Sequence, residues 1–228
     1  MDTYIINDFR GGRSNENDRG VVGSFKGGYA GDIRKKDNTF SCNQAMLDIT
    51  PPGLNGLIKW LVPATDGTTY AFLDNGSIWA MSGDGDWNFA YNDENGEIKG
   101  AAEWGLSDDR TYLFWATDTC VARKPLNSDA LPWTDATQDW KTTLDSADYH
   151  TMKPIAGSLG IANLKYMATI DFEGEFDPAT VNVRPGNIIK SLEERDDYAI
   201  MGTTKGDESE EGHIYSWVNT ALNYIQKK

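Results

Sequence analysis

From residue 54 onward, apolar and polar residues alternate in short runs cut by glycine-bearing turns, the period-two pattern of half-buried strands. Leu57–Val62, Thr69–Leu73, Ser77–Met81 and Trp87–Tyr91 form one such group, separated by Thr65-Asp66-Gly67, Asp74-Asn75-Gly76 and Gly83-Asp84-Gly85. Asn-Gly between apolar runs is the strongest short-range hairpin signal, because both residues tolerate positive φ. Asn75-Gly76 therefore predicts a two-residue type I′ turn joining the strands that carry Tyr70 and Trp79.

The pattern recurs three times. Ile98–Trp104, Thr111–Trp115 and Thr119–Arg123 make a second group. Lys153–Ala156, Leu159–Ala162 and Lys165–Ile170 make a third. Asn187–Ile189, Tyr198–Met201 and His213–Val218 make a fourth, with Leu222–Ile225 as its outermost strand. Tyr70 and Tyr112 stand 42 residues apart, and Tyr112 and Tyr198 stand 86 apart. Gly76-Ser77-Ile78-Trp79 is echoed by Gly212-His213-Ile214-Tyr215. A period of roughly 40–50 residues with four strands per period is the mark of a propeller.

The expectation is an all-β fold, a β-propeller or partial propeller of about four β-meander blades with an extended N-terminal arm. A β-sandwich is the alternative that the same strand density permits. Residues 1–20 are almost wholly polar from Asp8 onward and read as the arm, leaving 21–228 as the propeller-like domain. Lys124–Asp148 reads as a longer loop. Ile58, Trp60, Ile188 and Ile189 fall on the inner edges of the first and last groups. Unpaired edges and apolar faces seek partners, so the terminal groups are expected to meet in a compact ring or to self-associate.

Charge narrows the partners. A formal net charge of −14 repels nucleic-acid phosphates and anionic membrane surfaces, so neither is expected as a partner. No apolar run approaches the roughly 20 residues that span a bilayer. Met1–Ile6 carries no basic region and does not read as a secretory signal, which implies synthesis in a cytoplasm. Cys42 and Cys120 read as free thiols rather than a disulfide framework.

The chain offers little chemistry. Its two histidines, His150 and His213, lack metal-ligand spacing to any cysteine or to each other. Asp84-Gly85-Asp86-Trp87-Asn88 opens like a calcium loop, but Phe89 stands at the sixth position and Asn95 at the twelfth. The acidic stretch 205–212 reads as a solvated loop. No catalytic residue, metal or cofactor is expected, and the chain does not read as an enzyme. Trp133 and Trp140, among Asp129, Asp135 and Asp139, are the candidate ligand-binding residues. Aromatic faces beside carboxylates suit a sugar ring, although large aromatics more commonly pack cores.

One segment carries a family resemblance. It runs through Phe9-Arg10-Gly11-Gly12, Gly23-Ser24-Phe25-Lys26-Gly27-Gly28-Tyr29 and Asp32-Ile33-Arg34-Lys35 to Phe40-Ser41-Cys42-Asn43-Gln44-Ala45. This segment resembles tailed-phage virion-associated proteins that continue into propeller-like repeats. The resemblance covers the first 45 residues well and the repeats loosely, and it carries no enzymatic residue. It implies a structural component of a phage tail or particle, acting as a rigid interaction platform in the virion. Its partners would be other virion proteins or further copies of itself. Family members tend to be longer, which implies that this chain holds an incomplete propeller. The alternative function is a carbohydrate-binding module that recognises a host surface glycan.

Overall fold

The computed structural model describes residues 12–13, 24–25, 31–32, 41–42, 53–82, 85–126, 140–141, 143–155, 157–195, 198–205, 212–218 and 221–225. Every regular element among them is a strand. Spatial proximity divides the chain into two units, Met1–Ile49 and Thr50–Lys228. In the first, β1 (Gly12–Arg13) pairs in parallel with β2 (Ser24–Phe25), and β3 (Gly31–Asp32) pairs antiparallel with β4 (Ser41–Cys42). Of the predicted arm, residues 1–20, only Gly12 and Arg13 are among the described residues. The remainder of the predicted arm lies outside the described residues.

The second unit is a succession of antiparallel meanders, each with its strands in chain order. The first sheet holds β5 (Ile58–Pro63), β6 (Thr69–Leu73), β7 (Ser77–Met81) and β8 (Trp87–Asn92). The second holds β9 (Gly100–Gly105), β10 (Thr111–Ala116) and β11 (Val121–Pro125), and a single bridge from Val121 to Lys141 marks a fourth place beside β11. The third holds β12 (Met152–Ile155), β13 (Ser158–Asn163), β14 (Tyr166–Ile170) and β15 (Phe176–Asn182). The fourth holds β16 (Asn187–Arg195), β17 (Tyr198–Lys205), β18 (Gly212–Val218) and β19 (Ala221–Ile225).

Alternation explains how the sheets stack. Successive strand residues point to opposite faces, so one strand can feed two cores. Along β10, Leu113 and Trp115 join Tyr70, Phe72 and Ile78 in a core between the first two sheets. Its other residues, Tyr112, Phe114 and Ala116, join Leu159, Ile161, Ala168 and Ile170 between the second and third. Ala162 and Met167 pack with Ile189, Leu192, Met201, Tyr215 and Trp217 between the third and fourth. The first strands of consecutive sheets lie side by side, β5 by β9, β9 by β12 and β12 by β16. Backbone bonds stitch each junction: Leu144 N donates to Thr119 O (3.1 Å) and Ile189 N to Leu164 O (2.8 Å).

The Asn75-Gly76 turn differs from its prediction. Phe72 pairs with Ile78, and Gly76 N donates to Leu73 O at 3.2 Å. Gly76 alone of the pair has a positive φ, at 84°. The loop therefore has three residues, Asp74 to Gly76, a turn closed by a left-handed glycine rather than type I′. Asp171 to Glu175 uses the same bonding, with Gly174 N on Asp171 O (3.1 Å) and Asp171 N on Glu175 O (3.0 Å). The strand β15 escaped the sequence reading because Pro178 interrupts it. Proline is admitted here because β15 is an edge strand beside a register shift opposite Met167 and Thr169.

Candidate functional site

The outward faces of the first and last sheets each carry exposed apolar groups. The ladder places Leu61, Ala71, Trp79 and Phe89 in one row across all four strands of the first sheet. This row faces away from the second sheet, since the intervening Tyr70, Phe72 and Ile78 fill the core on that side. Leu61 is 59% exposed and Phe89 58%, while Ala71 in the same row is buried. The Trp79 ring meets Phe89 edge-on at 5.8 Å. On the fourth sheet, Met201, Tyr215 and Trp217 fill the inward core, so Tyr198, Ile200 and Ile214 face outward. Tyr198 is 45% exposed and Ile214 40%.

The repeat anchors keep their phase through the fold. Tyr70 and Tyr112 each face the following sheet and are buried by it. Tyr198, in the same second strand of its meander, takes the same orientation and remains exposed. Ile78 and Ile214 behave likewise, one fully buried and the other in solvent. Sequence reasoning found these tyrosines but missed their acidic partners. Tyr70 Oη donates to Asp66 Oδ2 (3.1 Å), and Tyr112 Oη donates to Asp108 Oδ2 (2.7 Å), each carboxylate four residues upstream. Burial and the Asp66 carboxylate push the Tyr70 phenol up to about 12. The Tyr112 bond holds the Asp108 carboxyl below its ordinary range.

Trp140 is placed as a packing residue. Its ring lies 5.6 Å from Phe114 at the edge of the second core. The Arg123 guanidinium sits 4.3 Å over it, and Lys141 Nζ lies 5.0 Å from its centroid. A sugar stacking there would have to displace a cation from the aromatic face. Trp133, with Asp129, Asp135 and Asp139, lies outside the described residues.

A polar junction fastens the second sheet to the third. Lys99 Nζ meets Asp118 Oδ1 at 3.0 Å and donates to Ala147 O at 2.7 Å, and Ser146 Oγ donates to Asp118 Oδ1 at 2.9 Å. Beneath it, the fully buried His150 ring spans two carbonyl oxygens, Ala162 O at Nδ1 and Asp118 O at Nε2, both at 2.8 Å. A neutral imidazole can donate to one of them and an imidazolium to both. Hydrogen bonds from Lys99 and Ser146 hold the Asp118 carboxyl below its ordinary range. A lowered folded-state value contributes stability above the unfolded carboxyl's range that is lost as pH falls through the folded one. Asp118→Asn is therefore expected to lower the melting temperature at pH 7, by a margin that shrinks as the pH falls below the ordinary carboxyl range. Paired thermal melts across that range check it; an offset constant with pH would refute it.

A cavity of about 390 Å³ opens between the third and fourth sheets. Its lining includes Leu164, Lys165, Gly186, Asn187, Ile188, Lys205 and Asp145. Leu164 holds φ at 53°, in a left-handed region that bulky side chains seldom enter. Asn187 is buried, and its Nδ2 donates to Tyr215 Oη at 2.9 Å. Nothing in the sequence signalled this site, because its walls come from separate segments between Asp145 and Lys205 and from no recognisable motif.

No known family and no curated protein matches the chain. Solved structures do. The extracellular domain of a hybrid two component system from B. thetaiotaomicron matches with TM-score 0.52 and 17% identity, over 77% of this chain and 22% of that one. Virginiamycin B lyase from Staphylococcus aureus matches with TM-score 0.48 and 15% identity, over 87% of this chain and 63% of the lyase. The WD40 beta propeller domain of Doa1 matches with TM-score 0.46 and 11% identity, over 77% and 67% respectively. The fold is that of β-propeller blades. The chain spans about a fifth of the first of these structures and under two thirds of the lyase. At such identities the likeness concerns the fold, and propellers host unrelated functions.

Proposed function

We propose that this chain is a non-catalytic interaction module that builds into a larger assembly through the outward faces of its first and last blades. The observation that carries the reading is the row Leu61, Trp79 and Phe89 on one terminal blade, with Tyr198 and Ile214 on the other. Exposed apolar side chains grouped on one sheet face mark interaction sites more than isolated ones do. Equivalent positions inside the chain are already covered by a neighbouring blade, so a further blade would repeat a packing this sequence makes three times. The resemblance of residues 9–45 to phage virion-associated proteins supports placing that assembly in a phage tail or particle. A rigid stack of blades suits such a platform.

Self-association is the test. At tens of micromolar, light scattering is expected to give a mass above the 25.3 kDa of one chain. Leu61→Lys combined with Phe89→Lys puts charge into that face and is expected to restore the single-chain mass with an unchanged circular dichroism spectrum. A parent protein that stays at the single-chain mass throughout, or a double variant that associates as before, overturns the reading.

A further inference from the structure

We infer that two copies of this chain join head to tail, the last blade of each against the first blade of the other, and close one ring of eight blades. The inference rests on the interaction reading above and adds to it a partner, a polarity and a number of copies. Inside the chain the three junctions share one polarity, in which one face of a sheet meets the opposite face of the next. Tyr70, Phe72 and Ile78 of the first sheet meet Leu113 and Trp115 of the second in this way. The two outward faces are therefore of different kinds. The last sheet presents the face that carries Tyr198 and Ile214, the counterpart of the face of Tyr70 and Ile78. The first sheet presents the face that carries Leu61, Trp79 and Phe89, the kind that receives a preceding blade.

The third sheet displays such a receiving face when it is filled. Its ladder puts Pro154, Leu159, Ile170 and Phe176 in one row across the four strands. Leu159 and Ile170 are fully buried in the core shared with the second blade, and Phe176, on the outermost strand, packs against that core together with Tyr112. The first sheet has a matching row, Leu61, Ala71, Trp79 and Phe89, again with a phenylalanine on the outermost strand. Here Leu61 and Phe89 stand in solvent. Tyr198 from another copy would take beside Phe89 the place that Tyr112 takes in the core with Phe176. A face meeting its own kind would have no counterpart among the junctions within the chain.

Closure follows from the fold. Propeller blades turn about a central channel, and rings of about four to eight blades are the common sizes. The first strands of successive sheets lie side by side here, as the inner strands of such a ring do. A ring of only this chain's four blades would bury the outward faces of the first and last against each other, yet both faces are exposed. Two copies bring eight blades, four from each, which stays within the common sizes. A head-to-tail contact that fails to close runs on as a filament and leaves an apolar face open at each end.

Subunit mixing tests this on the full chain. Leu61→Lys with Phe89→Lys blocks the first face, and Tyr198→Lys with Ile214→Lys blocks the last. The parent is expected to reach the mass of two chains and to stay there as its concentration rises. Each variant alone is expected at the mass of one chain, because in a ring of one variant both contacts contain a blocked face. Mixed in equal amounts, the two variants are expected to pair through the one contact that they leave intact. That pairing should be at least tenfold weaker than the parent's, since one contact replaces two. Native mass spectrometry with one variant isotopically labelled identifies the pair as mixed. A circular dichroism spectrum matching the parent's shows that each variant is folded, and serine at the same positions replaces lysine where it is not. A parent that never exceeds one chain overturns the interaction reading and this inference together. A parent that associates, with variants that pair with themselves or do not pair with each other, overturns the head-to-tail contact alone. A parent whose mass keeps growing with concentration overturns the closed ring.

Discussion

Trp115→Ala is expected to lower unfolding stability by about 3–5 kcal/mol, the range for deleting a large buried aromatic. Trp115 is fully buried in the core between the first two blades. Its ring lies 6.4 Å from Phe72 and 6.3 Å from Tyr91, both tilted. Removing it leaves a void that close-packed strands cannot collapse to fill. It also takes the Nε1 donor, at 2.6 Å, from the buried Asp93 carboxylate, whose Oδ1 is bonded by Asn95. Asp93 in turn anchors the loop into the second blade, since its amide donates to Gly76 O at 2.9 Å. Against a typical domain stability of about 5–15 kcal/mol, this loss is large. Urea unfolding followed by far-ultraviolet circular dichroism measures it, free of the change in tryptophan fluorescence. Trp115→Phe, which retains a ring but not the donor, should lose distinctly less. A loss below about 1 kcal/mol for the alanine variant would mean that the two blades do not share this core.

Gly76→Val is expected to cost about 2–4 kcal/mol, through strain at positive φ and overpacking together. Its φ of 84° disfavours any side chain, and a β-branched one most. A Cβ there would also stand 2.6 Å from Asp93 O and 2.7 Å from Gly96 O. Both are backbone atoms of the loop that enters the second blade, so neither can swing aside without moving the junction. Gly67→Val provides the contrast. Its φ is 85°, yet a Cβ would meet nothing within 4 Å, so only the strain remains. The difference between the two variants, read as denaturation midpoints in one buffer, isolates the contact between blades. Equal losses would show that the junction at Asp93 and Gly96 does not constrain Gly76.

Several features of this fold are written locally and were legible as such. Alternating apolar residues and glycine-bearing turns mark strands because side chains alternate across a strand and tight turns demand positive φ. The spacing of Tyr70, Tyr112 and Tyr198 placed three of the four second strands, and the echo of Ile78 in Ile214 placed two third strands. The terminal run 222–225 took its place as the edge strand β19. Polar strands were harder to see, as Pro178 and its neighbours in β15 show, because an edge strand packed on one face carries only a faint apolar rhythm.

The tertiary structure decided what depends on which face meets which. Whether Asn75 or only Gly76 adopts positive φ depends on register against β7 and on the loop at Asp93, beyond the reach of the dipeptide itself. The Arg123 guanidinium, from β11, lies 4.3 Å over the Trp140 ring, a pairing of residues 17 positions apart that no local pattern announces. Ile189, assigned to an inner edge, is buried against the third blade, because β16 is covered on that side. The cavity assembles Leu164 of one blade with Ile188 and Lys205 of the next, which are distant in sequence and share no periodicity. Periodicity reports the two faces of each strand. Which neighbour covers a face, and which face stays exposed, follows only from the docking of one sheet on another.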